Sequence, residues 1–278
     1  MSISRTGGVA DVRLDRADKL NALDPPMFTA LVRAADEVAA DRSVRAVVLS
    51  GEGRGFCAGL DLTSVQAIAV GEVGGGDDED AKSGQAMSEA ARSLTDRMPG
   101  RITSLFQEVA HAWTALEVPV IAACTGPVLG GGFQIALGCD IRFTTPDAKW
   151  SVLEIRWGLL PDMTGIQNLV RLVGLDVAKE LTYTGRMVTG AEAVELGIAT
   201  HLSDDPHADA MALAEEVAGK NPHAIRGMKA LLNAAGTRPL IDSYIEESRL
   251  MASLIGSPNQ VEATMAYFEK RPADFVDP

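Results

Sequence analysis

Apolar and polar positions alternate over Val9–Leu14, the period of a half-buried strand. The period then changes. Between about residues 27 and 40, Phe28, Leu31 and Val38 share one face of a helical repeat, and Asp24 followed by Pro25 supplies an N-cap and a first helical position. Ala46, Val47, Val48 and Leu49 form a short, wholly apolar run, the pattern of a strand covered on both faces. A turn-rich stretch with glycine at 51, 53 and 55 ends it. Leu105, Val109, Ala112, Trp113 and Leu116 recur at helical spacing within 102–117. A buried strand is predicted over 119–124, a glycine-rich turn over 126–132, a short helix to Gly138 and a strand over 139–143. Strands alternating with helices to about residue 200 predict an α/β core. Beyond 205 only helical periods remain, over about 207–220, 222–235, 240–255 and 259–271. This divides the chain into a core of 1–200 and a helical region of 201–278, which packs on itself or on a neighbouring subunit.

One stretch, about 62–100, breaks the rhythm. Its glycine-rich, acidic centre over 71–80 has nothing to bury and predicts a surface loop within the core, a candidate wall for a substrate tail. The chain as a whole is acidic, with 38 aspartates and glutamates against 25 lysines and arginines and a formal net charge of −13. That balance argues against nucleic-acid binding, which needs a basic face. The three cysteines, Cys57, Cys124 and Cys139, stand singly and are expected as small core residues in a reducing compartment. Residues 1–5 lack the apolar stretch of a secretory signal, and no apolar run approaches the roughly 18 residues of a membrane span. A cytoplasmic protein without membrane attachment is expected.

Several chemistry-bearing motifs fail on inspection. The third glycine of a dinucleotide fingerprint begun at Gly51 and Gly53 would fall on Phe56. A phosphate loop begun at Gly126 and Gly131 would need lysine and serine or threonine where Gly132 and Phe133 stand. No GxSxG elbow occurs, and His111, His201, His207 and His223 have no zinc-binding spacing, so no metal is expected. Two segments remain. Residues 56–61 (Phe-Cys-Ala-Gly-Leu-Asp) and 129–134 (Leu-Gly-Gly-Gly-Phe-Gln) each follow a short buried strand and offer backbone amides beside small side chains. In the second, glycines open a helix, whose first amides lack intrahelical partners and carry the positive end of the dipole. Two such amides on one oxygen make an oxyanion hole; two tight turns would use the same residues.

The order of these motifs resembles the crotonase (enoyl-CoA hydratase/isomerase) superfamily. The resemblance is carried by Asn21-Ala22-Leu23, Phe56 through Asp61, Gly126 with Gly130-Gly131-Gly132, Ala136, Asp140, and Glu154 ahead of Gly158-Leu159-Leu160-Pro161. Tyr183 through Arg186, Ala191 through Gly197 and the terminal Tyr267 through Pro272 extend it along nearly the whole chain. It implies an α/β fold, a crotonase-like spiral of ββα units followed by a helical trimerisation region, assembled as a homotrimer or a hexamer of paired trimers. It implies an acyl-CoA thioester substrate, as in fatty acid metabolism, with coenzyme A entering only as part of that substrate and no separate cofactor. It assigns the oxyanion donors to the N–H groups of Ala58 and Gly131. It places the adenine end of coenzyme A near Ala22 and Asp61, with Lys19 and Lys270 as phosphate partners, the last from a neighbouring subunit.

The acid–base positions bear on the reaction. Hydratases of this family carry two carboxylates, one after the triple glycine and one before the GxxP turn. Glu154 fills the second position, whereas Gln134 occupies the first. An amide is no base at neutral pH, and a missing general acid or base costs roughly 100- to 10,000-fold. Isomerisation of a 3-enoyl-CoA to the 2-enoyl isomer needs a single carboxylate that takes a proton from C2 and returns it at C4. Asp162 stands where dienoyl-CoA isomerases of the superfamily also place an aspartate; it is a second proton carrier, a modulator of Glu154, or an N-cap for a helix from about 164 to 173. An isomerase is therefore expected, with a hydratase, a non-catalytic acyl-CoA binder and an RNA-associated relative as alternatives.

Overall fold

The computed structural model describes residues 1–61 and 94–278. The acidic, glycine-rich stretch expected as a loop over 71–80 lies outside the described residues. Nine strands are described: β1 (Ser2–Thr6), β2 (Val9–Leu14), β3 (Ala46–Gly51), β4 (Val120–Cys124), β5 (Pro127–Leu129), β6 (Ile141–Thr144), β7 (Lys149–Ser151), β8 (Val188–Thr189) and β9 (His201–Leu202). The six-stranded sheet runs β1-β2-β3-β4-β6-β9, with β1 antiparallel to β2 and the other neighbours parallel. A smaller sheet, β5-β7-β8, stands apart from it. Ten helices are described. The first six are α1 (Pro25–Ala40), α2 (Leu105–Ala115), α3 (Gly131–Gly138), α4 (Gly165–Val173), α5 (Leu175–Thr184) and α6 (Gly190–Glu195). The C-terminal region holds α7 (Pro206–Ala218), α8 (Pro222–Ala234), α9 (Leu240–Leu254) and α10 (Pro258–Glu269).

The apolar run of β3 has the burial its pattern predicts, because the large sheet is covered on both faces. Ala10, Val12, Leu14, Val47, Leu49, Val120 and Ala122 point to one side, against α1, α2 and α3. Val9, Ala46, Val48, Ile121 and Ala123 point to the other, against Ala210, Ala214 and Ala218 of α7. Each fully buried side chain of valine or leucine size contributes roughly 1.5–3 kcal/mol. Asp24 caps α1 as expected, accepting the N–H of Met27 at 2.9 Å with Pro25 at the first position. The α2 helix starts at Leu105, not near 102, because Ser104 and Gln107 form a reciprocal capping box. All three cysteines are buried and free, and burial pushes the thiols of Cys57 and Cys139 up to about 12. Among the described residues no helix is long and apolar enough to cross a membrane.

One buried ion pair ties the C-terminal helices to the core. The Lys229 ammonium of α8 donates to Asp140 Oδ2 at 2.7 Å and to the carbonyl of Val118 at 2.9 Å, and Asp140 Oδ2 also accepts the Val120 N–H at 2.7 Å. The next helix is different. No residue of α9 is buried, and Leu240, Ile241, Tyr244 and Ile245 are each more than half exposed.

Candidate active site

Two chain segments meet where β3 and β4 run out. Cys57 donates its N–H to Pro127 O at 2.9 Å and accepts the Leu129 N–H at 3.0 Å. The fit allows no side chain between them. A Cβ on Gly59 (φ 88°) would lie 2.8 Å from Leu129 O, and one on Gly132 would lie 2.5 Å from Cys57 O and 2.6 Å from Cys57 Cβ. A Cβ on Gly59 would also lie 3.7 Å from Gly130 Cα, and one on Gly130 would lie 3.9 Å from Gly59 Cα, so the two segments pack closely at these glycines. Gly130 caps α3 without a side-chain hydrogen bond, and the Gly131 amide has no partner among the described residues. That amide faces outward from the positive end of a buried helix.

Ala58 is in another state. Its N–H donates to Leu20 O at 2.9 Å. Leu20 and Asn21 both adopt left-handed backbone (φ 50° and 56°), and Asn21 is held there by its side chain, which accepts the Arg16 N–H and donates to Glu52 O and Gly55 O. The Gly131 amide is thus unengaged among the described residues, whereas the Ala58 amide is bonded to the Leu20 carbonyl.

Glu154 opens a short 3-10 turn after β7 and brings its carboxylate over the first glycines of α3. A Cβ on Gly130 would lie 3.6 Å from Glu154 Oε1. The same Oε1 accepts a hydrogen bond from Gln134 Nε2 at 2.6 Å, whereas Oε2 is buried with no partner among the described residues. Burial raises this carboxyl to about 7; the Gln134 hydrogen bond opposes the rise and the charge of Asp162 adds to it. Gln134 is buried, and its Oε1 accepts the N–H of Met163 at 2.8 Å and of Gly165 at 3.1 Å. Asp162 presents an exposed surface, yet burial also raises its carboxyl. It does not cap the following helix: Thr164 holds the N-cap position of α4 in left-handed backbone, without a side-chain cap.

A sequence model described as "Enoyl-CoA hydratase/isomerase" matches residues 9–275. The chain belongs to the enoyl-CoA hydratase/isomerase family. It is 30% identical over 272 residues to the mitochondrial methylglutaconyl-CoA hydratase of Mus musculus, covering 95% of this chain and 78% of that protein. It is 31% identical over 276 residues to the mitochondrial enoyl-CoA hydratase domain-containing protein 2 of Mus musculus, covering 97% and 84%. The crystal structure of an enoyl-CoA hydratase from Bacillus anthracis superposes with a TM-score of 0.82 at 26% identity, over 99% of this chain and 98% of that one. The crotonase fold and the enzymatic character of the family follow.

Within this enoyl-CoA hydratase/isomerase fold the residues expected to hold coenzyme A fall in two places. Ala22 and Asp61 are buried side by side through Arg16, whose guanidinium donates to Ala22 O at 3.0 Å and to Asp61 Oδ2 at 2.6 Å. Lys19 is exposed in the turn before them. Lys270 is exposed at the end of α10, and no described contact joins it to the others. Sequence reasoning missed Arg16 and the Met163 and Gly165 amides. No local spacing signals them, because each acts on a residue brought near only by the fold.

Proposed function

We propose that the protein isomerises 3-enoyl-CoA thioesters to 2-enoyl-CoA thioesters, with Glu154 as the single proton carrier. The observation behind this reading is a half-buried Glu154 carboxyl raised to about 7, with Oε1 engaged by Gln134 and, among the described residues, no partner on Oε2 or on the Gly131 amide. As a base, Glu154 takes the C2 proton. The electron pair moves toward the thioester oxygen, where the Gly131 N–H stabilises it, joined by the Ala58 N–H once Leu20 O gives way. Each donor of this kind is worth on the order of 3 kcal/mol of barrier. Return of the proton to C4 then leaves the double bond between C2 and C3. Asp162 raises Glu154 through its charge and thereby tunes the base.

Coenzyme A is read as part of the substrate, with Ala22, Asp61 and Lys19 near its nucleotide and Lys270 reaching it from a neighbouring subunit. The exposed apolar surface of α9 supports a homotrimeric or hexameric assembly. A hydratase is the second reading, supported by the names of the mouse relatives. Gln134 opposes it, since its carbonyl end is taken by two backbone donors and has no basicity to activate water.

The two readings separate in initial rates measured from pH 5 to 9 with 3-enoyl-CoA and 2-enoyl-CoA. The expected result is turnover of the first, with little hydration of the second. A base must be ionised, so kcat/KM falls as pH drops through about 7. Brisk hydration with weak isomerisation removes the proposal.

A further inference from the structure

Resting on the reading of Glu154 as proton carrier, we propose that Gln134 is a positioning residue that commits Oε2 of Glu154 to proton transfer, held in that role by the backbone at Met163 and Gly165. The hydrogen bonds fix its orientation. One end of the Gln134 amide faces two N–H donors, at 2.8 and 3.1 Å, and only an oxygen satisfies both. The NH2 end therefore faces Glu154, 2.6 Å from Oε1. Oε1 is held as an acceptor, while Oε2, buried and without a partner among the described residues, is the oxygen whose lone pairs remain uncommitted.

The clamp has no slack. A Cβ on Gly165 would lie 2.5 Å from Gln134 Cγ, 2.9 Å from Cδ and 2.8 Å from Oε1. Glycine at 165 is thus a packing requirement of the Gln134 side chain. A glutamate at 134 would set one oxygen in the same pair of N–H groups and turn the other toward Oε1 of Glu154. Two carboxylates in contact share a proton and titrate as a pair, so Glu154 would ionise only at higher pH. The change that copies the two-carboxylate pattern would therefore hinder this site.

The test uses full-length Gln134→Met, Gln134→Glu and Gly165→Ala, each checked for folding by thermal melting, with Glu154→Gln alongside. Carbon-13 NMR of glutamate-labelled protein follows the Glu154 carboxyl with pH, and steady-state rates give kcat and KM. Gln134→Met removes the hydrogen bond that holds Glu154 down, so its titration and the acid limb of the rate profile both move to higher pH. The expected fall in kcat is roughly ten- to hundredfold, the worth of one hydrogen bond to a charged group, with KM little changed. Gly165→Ala moves the same readouts in the same direction with the amide still present. If Gly165→Ala does not fold, Gln134→Met decides alone. Wild-type titration and kcat in Gln134→Met overturn the proposal, as does rapid hydration of 2-enoyl-CoA by Gln134→Glu with Glu154 titrating unchanged. Full isomerase activity in Glu154→Gln overturns the parent reading instead. An inactive Glu154→Gln beside wild-type behaviour in Gln134→Met and Gly165→Ala sinks only the positioning role.

Discussion

Glu154→Gln lowers isomerase kcat by roughly 100- to 10,000-fold, the range of a lost general base, and leaves KM close to wild type. The substitution keeps the shape of the side chain and removes only its ability to carry a proton. The pocket around it stays intact, so thioester binding survives. Stability moves the opposite way. In the folded protein Glu154 titrates at about 7, above its ordinary 4.5. A raised carboxyl contributes stability that is whole below the unfolded value and is lost as pH rises through the folded one. The variant therefore melts higher than wild type at pH 8, and the two melt together near pH 4. Thermal melts at the two pH values, beside steady-state rates, check both halves. A variant that is inactive and also less stable at pH 8 would point to a structural role for Glu154.

Gly132→Ala is the second large effect, and it acts without touching a reacting group. The new Cβ would sit 2.5 Å from Cys57 O, 2.6 Å from Cys57 Cβ and 2.9 Å from Cys57 Sγ. The first of those atoms, Cys57 O, accepts the Leu129 N–H in the joint that brings the Ala58 segment against the start of α3, so one segment must back away. Overpacking of a tight core costs about 1–3 kcal/mol. A displacement of about 1 Å at a reacting centre costs on the order of a hundredfold in rate. Thermal melting combined with kcat tests this. Wild-type turnover in Gly132→Ala would mean that the two segments need not stay in register.

The two segments were legible in the sequence because glycine is demanded there by close backbone approach, and that demand shows as a dense glycine pattern after an apolar strand. The α1 cap and the β3 strand were legible for similar local reasons: a capping residue before proline, and an unbroken apolar run. The short strands β5, β7, β8 and β9 were not, since two or three residues carry no period, and β1 is a mostly exposed edge strand with little apolar patterning. Glu154 and Gln134 were found through motif order, but their relation was hidden. It depends on the N–H groups of Met163 and Gly165, about thirty residues from Gln134, which no side-chain pattern announces. The bond from Ala58 to Leu20 was hidden for the same reason, as a backbone contact between segments far apart in the chain. Asp162 shows the limit of a local rule: an acidic residue just ahead of a helix, it leaves the N-cap position to Thr164.

The most direct measurement follows a label. With 3-enoyl-CoA deuterated at C2, one carboxylate that both removes and returns the proton carries part of the deuterium to C4 of the 2-enoyl product. Measurable C4 deuterium is expected with the wild-type enzyme, and with Glu154→Gln product forms at no more than about a hundredth of the wild-type rate. Isomerised product from Glu154→Gln at the wild-type rate, or a wild-type product hydroxylated at C3, would contradict it.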